Sequence, residues 1–210
     1  MSEFSEVLYA RTATEHYDPT VSISDLEIRE LVQAATEAPS AFNVQPWRFL
    51  AVTDQALREQ LKEATVVPNQ KRVVEAPLSL FVLGDLDGHK NLQAILNEAV
   101  EANSLRREIA DAWLGMANNM YATDPTLAKE EAIRSCSLAA MVLMLAAADR
   151  GYVSCPIGFN AAQAKKILSI SDRFVPVMWL TVGRPAPGNT PRRPRLPVEK
   201  ILAFNSAREF

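Results

Sequence analysis

Ala38-Pro-Ser-Ala-Phe-Asn-Val-Gln-Pro-Trp-Arg48 is the stretch on which the reading of this chain turns. A helix running to about Glu37 breaks at Pro39, and a strand begins near Arg48. Pro39 and Pro46 stiffen the connector and take the residue before each out of the right-handed helical region. Ser40, Asn43 and Gln45 bring hydroxyl and amide groups that both donate and accept hydrogen bonds. Such a connector suits a flat, heteroatom-rich ligand. Asn, Ser and Pro are also ordinary loop residues, so a plain helix-to-strand loop whose Trp47 plugs the core is the competing reading.

Working outward, Ser24 or Asp25 caps a helix with apolar positions at Leu26, Leu31, Val32 and Ala35. After the connector, Phe49 to Thr53 reads as a strand and Gln55 to Ala64 as a helix begun by Asp54. Asn69 to Ala76 is a short helix stopped by Pro77. Leu78 to Gly84 is apolar throughout and reads as a strand buried on both faces. A long helical region is expected from about His89 to Tyr121. Asp124, with Pro125 behind it, starts another helix that ends at Gly151. A short strand at Val153 to Cys155, a helix at Ala161 to Leu168 and a strand at Val175 to Val182 complete the regular elements. Leu138 to Ala148 is apolar all round, which calls for enclosure on every side. A dimer interface or a central core helix would supply it.

The 210 residues suffice for one sizeable domain. A hydrophobic content of 48% against 22% charged residues is that of a globular chain. A net charge of −3 gives no overall attraction to nucleic acid or to an anionic membrane. The acidic N-terminus has no apolar signal core, and the longest apolar run falls short of the ~20 residues that span a bilayer. A cytoplasmic location is expected, with Cys136 and Cys155 as free, mostly buried thiols. Two histidines without ligand spacing leave no case for a metal site. Glycine-rich phosphate loops and the hydrolase elbow are absent as motifs.

Five segments, in order, resemble the flavin-dependent nitroreductase family. Arg11-Thr-Ala-Thr-Glu-His-Tyr-Asp-Pro19 is similar to the family's R-R-S-V-R-x-Y/F-D segment, with Ala13 in place of serine and Glu15 in place of a cation. Pro39 to Trp47 resembles P-S-S-x-N-x-Q-P-W, with Ala41 in place of the second serine. Asn69-Gln-Lys-Arg72 resembles the N-x-x-K/R helix. Gly151 to Gly158 resembles the G-L-x-x-x-P-I-x-G loop, and Gly183-Arg-Pro with Arg193-Pro-Arg-Leu-Pro197 resembles the tail.

That resemblance implies an α+β, three-layer fold whose mixed, mainly antiparallel sheet of four strands is flanked by helices. It implies an interlocked homodimer and a single domain over 1–210, with the tail from about 185 wrapping the partner. The implied cofactor is FMN, with NADH or NADPH as electron donor and a nitroaromatic, quinone or similar electron-poor acceptor, in a ping-pong cycle. The implied flavin contacts are Arg11, Thr12, Ala13 and Glu15; Pro39, Ser40, Ala41, Asn43 and Gln45; Asn69 and Arg72; Ser135 from the partner; Pro156, Ile157 and Gly158; and Arg193 with Arg195. Flavin N5 would carry the chemistry, so no catalytic side chain is assigned. Arg193 and Arg195 would clamp the phosphate, and Arg72 would face the flavin pyrimidine. Backbone N–H of the 156–158 loop would lie near N5, and Phe42 could line the substrate side of the ring. Glu15 would be repulsive beside reduced flavin unless it points away or pairs with Arg72 or Arg11. Each contact has a plainer alternative: a solvated tail for Arg193 and Arg195, a surface arginine for Arg72, packing for Ser135. Three other functions stay open: a different flavin reaction such as dehalogenation or dehydrogenation, with a lid in 87–126; a non-catalytic flavin-binding regulator; and a helical interaction module without cofactor.

Overall fold

The computed structural model describes residues 2–206; Met1 and the last four residues of the expected tail lie outside them. Four strands form one sheet in the order β1 (Trp47–Val52), β2 (Leu78–Asp85), β4 (Phe174–Gly183), β3 (Val153–Pro156). All three ladders are antiparallel, and the parallel contribution is an isolated bridge between Ala13 and Ser154. β2 is central and every one of its residues is buried, as its unbroken apolar run requires.

Alternation along β2 splits the core in two. Leu78, Leu80 and Val82 face α2 (Asp25–Ala35) and α7 (Leu127–Asp149), with Leu31, Ala139 and Leu143. Phe81 and Leu83 face the opposite layer, where Leu61 of α3 (Gln55–Leu61), Val73 of α4 (Val67–Glu75) and Ala164 of α8 (Ala161–Leu168) pack. Phe81 stacks on Trp179 at 4.8 Å, and Phe159 meets both rings edge-on. Trp47 is itself core, so the plug reading holds for that residue.

Local chemistry sets the boundaries. Ser24 and Glu27 form a reciprocal capping box at the start of α2. The Asp54 side chain accepts from the Leu57 N–H at the start of α3. An N-terminal helix, α1 (Glu3–Ala10), was not foreseen; Ser2 caps it, and none of its residues is buried. The region expected as one long helix is two, α5 (Leu92–Glu101) and α6 (Arg107–Thr123), turned at Asn103 with φ of 56°. They enclose a satellite core of Leu92, Leu96, Ala110 and Ala117 that includes Val44 of the connector.

The expectation for α7 is corrected within this chain. Its Ala132, Cys136, Ala139, Ala140, Leu143 and Ala147 face is buried, whereas Ile133 is 40% and Leu138 48% exposed. α7 packs on one face of the sheet and against α2, and the side those elements leave uncovered stays exposed. By length and composition it could cross a membrane, but 44% of its most apolar window is buried inside this protein.

Candidate functional site

The N-terminal segment is pinned to the sheet before it reaches any site. Tyr17 is buried, with its hydroxyl 2.8 Å from Thr181 Oγ1 and donating to the Thr181 carbonyl. The Thr14 N–H donates to the Ser154 carbonyl, and the Asp18 N–H to that of Arg184. The tail then folds back over this segment. Asn189 accepts from the Glu15 and His16 N–H groups at 2.7 and 2.9 Å and donates to the His16 and Ala186 carbonyls. One amide thus uses both donors and its acceptor to join segments more than 170 residues apart.

The junction is tight at Gly183, where a Cβ would stand 2.6 Å from Pro77 Cδ and 2.9 Å from Tyr17 Cδ1. Neither ring can yield cheaply. Gly183→Ala is expected to cost about 1–3 kcal/mol and to lower Tm by roughly 2–4 °C per kcal/mol. A melt equal to that of the parent chain would show that the junction has slack.

Joining these segments creates a cleft of about 240 Å³ lined by Arg11, Thr12, Ala13, Glu15, Arg72, Cys155 and residues 190–193 and 195. Five arginines face one carboxylate there. In a chain of net charge −3 this is a local concentration of positive charge. Burial, then the charges of Arg195 and Arg192, push the Arg11 guanidinium below its usual pKa. The guanidiniums repel one another, and an anion would relieve that repulsion. Arg72 Nε is buried without a hydrogen-bond partner among the described residues, a donor available to a ligand. Burial raises the Cys155 thiol, against a lowering influence from Arg72, so it is a neutral wall and not a thiolate nucleophile.

α4 presents Asn69 and Arg72 three residues apart on one face. The Asn69 Oδ1 accepts from Arg72 Nη1 at 2.5 Å. Arg58 holds the far end of this helix by donating to the Val74 and Ala76 carbonyls. Glu15 does not point away: its Oε1 is 3.7 Å from Nη2 of both Arg72 and Arg193. Seven expected contacts (Arg11, Thr12, Ala13, Glu15, Arg72, Arg193, Arg195) therefore share one cleft, with Asn69 alongside. Pro156 to Gly158 follow directly from Cys155. The Ile157 N–H is already donated to the Trp179 carbonyl at 2.8 Å, so it is not a free donor, whereas Gly158 borders open space.

The connector lies elsewhere. It leads into β1, one edge of the sheet, while the arginine cleft forms beside β3, the other edge. Three inter-strand spacings put β1 and β3 themselves roughly 14 Å apart across the sheet. Ala41 and buried Ser135 instead share a crevice of about 10 Å³ with Val44, Asp85 and Tyr121. In one chain, then, Pro39, Ser40, Ala41, Asn43, Gln45 and Ser135 do not join the arginine cleft. The physical reason is the strand order. The connector is also strained: Phe42, Asn43 and Gln45 have φ of 52°, 58° and 49°. A left-handed Phe or Gln costs about 1–3 kcal/mol. Ser40 Oγ accepts from the Gln45 N–H and closes the turn. Phe42 packs edge-on to Trp113 of α6, with ring centroids 6.2 Å apart.

Sequence reading missed Asn189, Thr190, Arg192 and Cys155. The Gly188-Asn189 pair was a visible turn signal. Arg192 stands outside the Arg193-Pro-Arg195 alternation, so no spacing singles it out.

The sequence pattern described as the Nitroreductase family matches residues 8–184. The chain belongs to this family. YodC of Bacillus subtilis, provisionally assigned as an NAD(P)H nitroreductase, is 37% identical over 206 residues, covering 97% of this chain and all of that one. A provisionally assigned nitroreductase of Exiguobacterium sibiricum, solved in complex with FMN, superposes with a TM-score of 0.89 at 30% identity over 97% of this chain and 98% of that one. A CLA biosynthesis enone reductase of Lactiplantibacillus plantarum is 28% identical over 88% of this chain and 87% of its own length. The matched residues take in the first four segments and reach Gly183 and Arg184 of the fifth, while Arg193 to Pro197 lie beyond them.

Proposed function

We propose that this chain is an FMN-dependent oxidoreductase, built as a homodimer, that passes electrons from NADH or NADPH to nitroaromatic, quinone or related electron-poor acceptors. The observation that supports this reading is the division of the family-motif residues between opposite sheet edges, with the arginines gathered at one of them. A cleft of about 240 Å³ is smaller than the ~300–1,000 Å³ of complete small-molecule sites. A second chain would complete it.

Bound FMN supplies two-electron transfer, with donor and acceptor using the same site in turn. Arg11, Arg192 and Arg195 hold its phosphate by charge-assisted bonds. Arg72 and Asn69 offer donors further along the cleft. The strained connector, carried by the partner, closes the site from the other side. Exposed Ile133 and Leu138 of α7, with Leu196, Val198, Ile201, Leu202 and Phe204 of the tail, are the apolar surface that the dimer buries. The free edge of β1, beside a groove of about 580 Å³ against α2, receives the partner's tail. An apolar stripe of Trp113, Met116 and Met120 on α6, beside Phe42, favours a second reading in which the acceptor is an electron-poor double bond on an apolar body.

Heat release of the chromophore followed by chromatography is expected to yield FMN, about one per subunit. The purified protein should oxidise NADH or NADPH when given a nitroaromatic, quinone or enone under anaerobic conditions. Recovery of FAD, or a colourless protein that FMN cannot reconstitute, would overturn this reading.

A further inference from the structure

We propose that Glu15 is a built-in counter-charge of the arginine cleft that weakens anion binding and lowers the redox potential of the bound flavin; this rests on the FMN reading above. The carboxylate is one acid among five arginines. It stands 3.7 Å from Arg72 and from Arg193, longer than the ~2.7–2.9 Å of a committed charge-assisted bond. Thr190 Oγ1 donates to it at 3.4 Å. Its own N–H is held by Asn189 at 2.7 Å, so the residue is fixed at the cleft and cannot easily leave.

Two groups of arginine follow. Arg72 and Arg193 share a carboxylate. Arg11, Arg192 and Arg195 have no carboxylate within ion-pair distance among the described residues; Arg192 lies over the Tyr9 ring at 5.1 Å, and Arg195 bonds backbone carbonyls. The second trio is the natural seat of a phosphate. At the first pair a ligand meets guanidinium charge already offset by Glu15. Reduction by a nicotinamide moves two electrons and one proton to the flavin, the donor leaving as NAD(P)+. The flavin thereby gains one negative charge. A carboxylate anywhere in the cleft opposes that gain, so it loosens the reduced cofactor more than the oxidised one.

The test uses the apoprotein titrated with FMN by fluorescence quenching, and the reconstituted protein equilibrated with a reference dye for its midpoint potential. Glu15→Gln is expected to tighten reduced FMN about tenfold more than oxidised FMN, a positive shift of roughly 30 mV for a two-electron couple. Glu15→Asp keeps the parental potential, and Glu15→Lys moves it beyond the glutamine variant. The Asp and Lys proteins alone report the ordering by charge if the glutamine protein does not fold. A potential that is unchanged or falls in the Gln and Lys variants, or one that rises equally in Asp and Gln, overturns the proposal. A parental chain that fails to bind FMN at all shows instead that the cofactor reading is at fault, and the proposal falls with it.

Discussion

Replacing Arg195 with alanine is expected to weaken FMN binding by about 10- to 150-fold without lowering the melting temperature of the flavin-free chain. The first half follows from losing a hydrogen bond to a charged partner, about 1.5–3 kcal/mol. The second half follows from what Arg195 does without a ligand. It is exposed and donates to the Arg193 and Pro194 carbonyls, and its charge is among those that push the Arg11 guanidinium down. Removing it relieves repulsion in the empty cleft, and a surface change of this kind stays within about 0.5 kcal/mol. The signature is a variant whose apo melt is intact but whose FMN-induced stabilisation has shrunk. Arg11→Ala acts on the same phosphate, so the two losses will not add. Isothermal titration and paired melts of apo and loaded protein check this. Unchanged affinity would make the tail a solvated basic segment.

At an FMN concentration too low to load the Arg195→Ala chain, mixing two impaired chains should restore activity. Asn43→Ala damages the connector, and Arg195→Ala damages the arginine cleft. If each site takes the connector from one chain and the cleft from the other, a heterodimer of the two variants has one intact site and one doubly damaged. Random assortment makes about half of all dimers mixed, so co-refolded chains should recover about a quarter of parental activity in a two-fold symmetric assembly. No recovery, with heterodimers shown to be present, would place connector and cleft in separate roles. Sedimentation that finds only a flavin-loaded monomer at micromolar concentration would do the same.

Much of the fold was legible because it rests on local rules. Ser24 with Glu27, Asp54, Pro77 and Gly151 mark element ends through interactions that span a few residues. The apolar run of β2 announces a strand buried on both faces, which is where it lies. What escaped local rules was governed by neighbours distant in sequence. Leu138 to Ala148 of α7 is apolar all round, yet only its position over one face of the sheet decides which side this chain buries. Asn189 looks like any loop asparagine until its amide is seen bridging Glu15, His16 and Ala186.

The same division runs through the site. Residue chemistry and order along the chain were enough to nominate the arginines, the α4 pair and the polar connector, since a side chain's charge and hydrogen-bonding groups travel with the sequence. Which of them can touch one ligand depends on strand order, and strand order is a non-local property. β1 and β3 are opposite edges of the sheet, so the connector and the arginine cleft separate within one chain. Glu15 shows the contrast most sharply. Its sign was plain from the sequence, while its place between Arg72 and Arg193 depends on the tail folding back over the N-terminal segment.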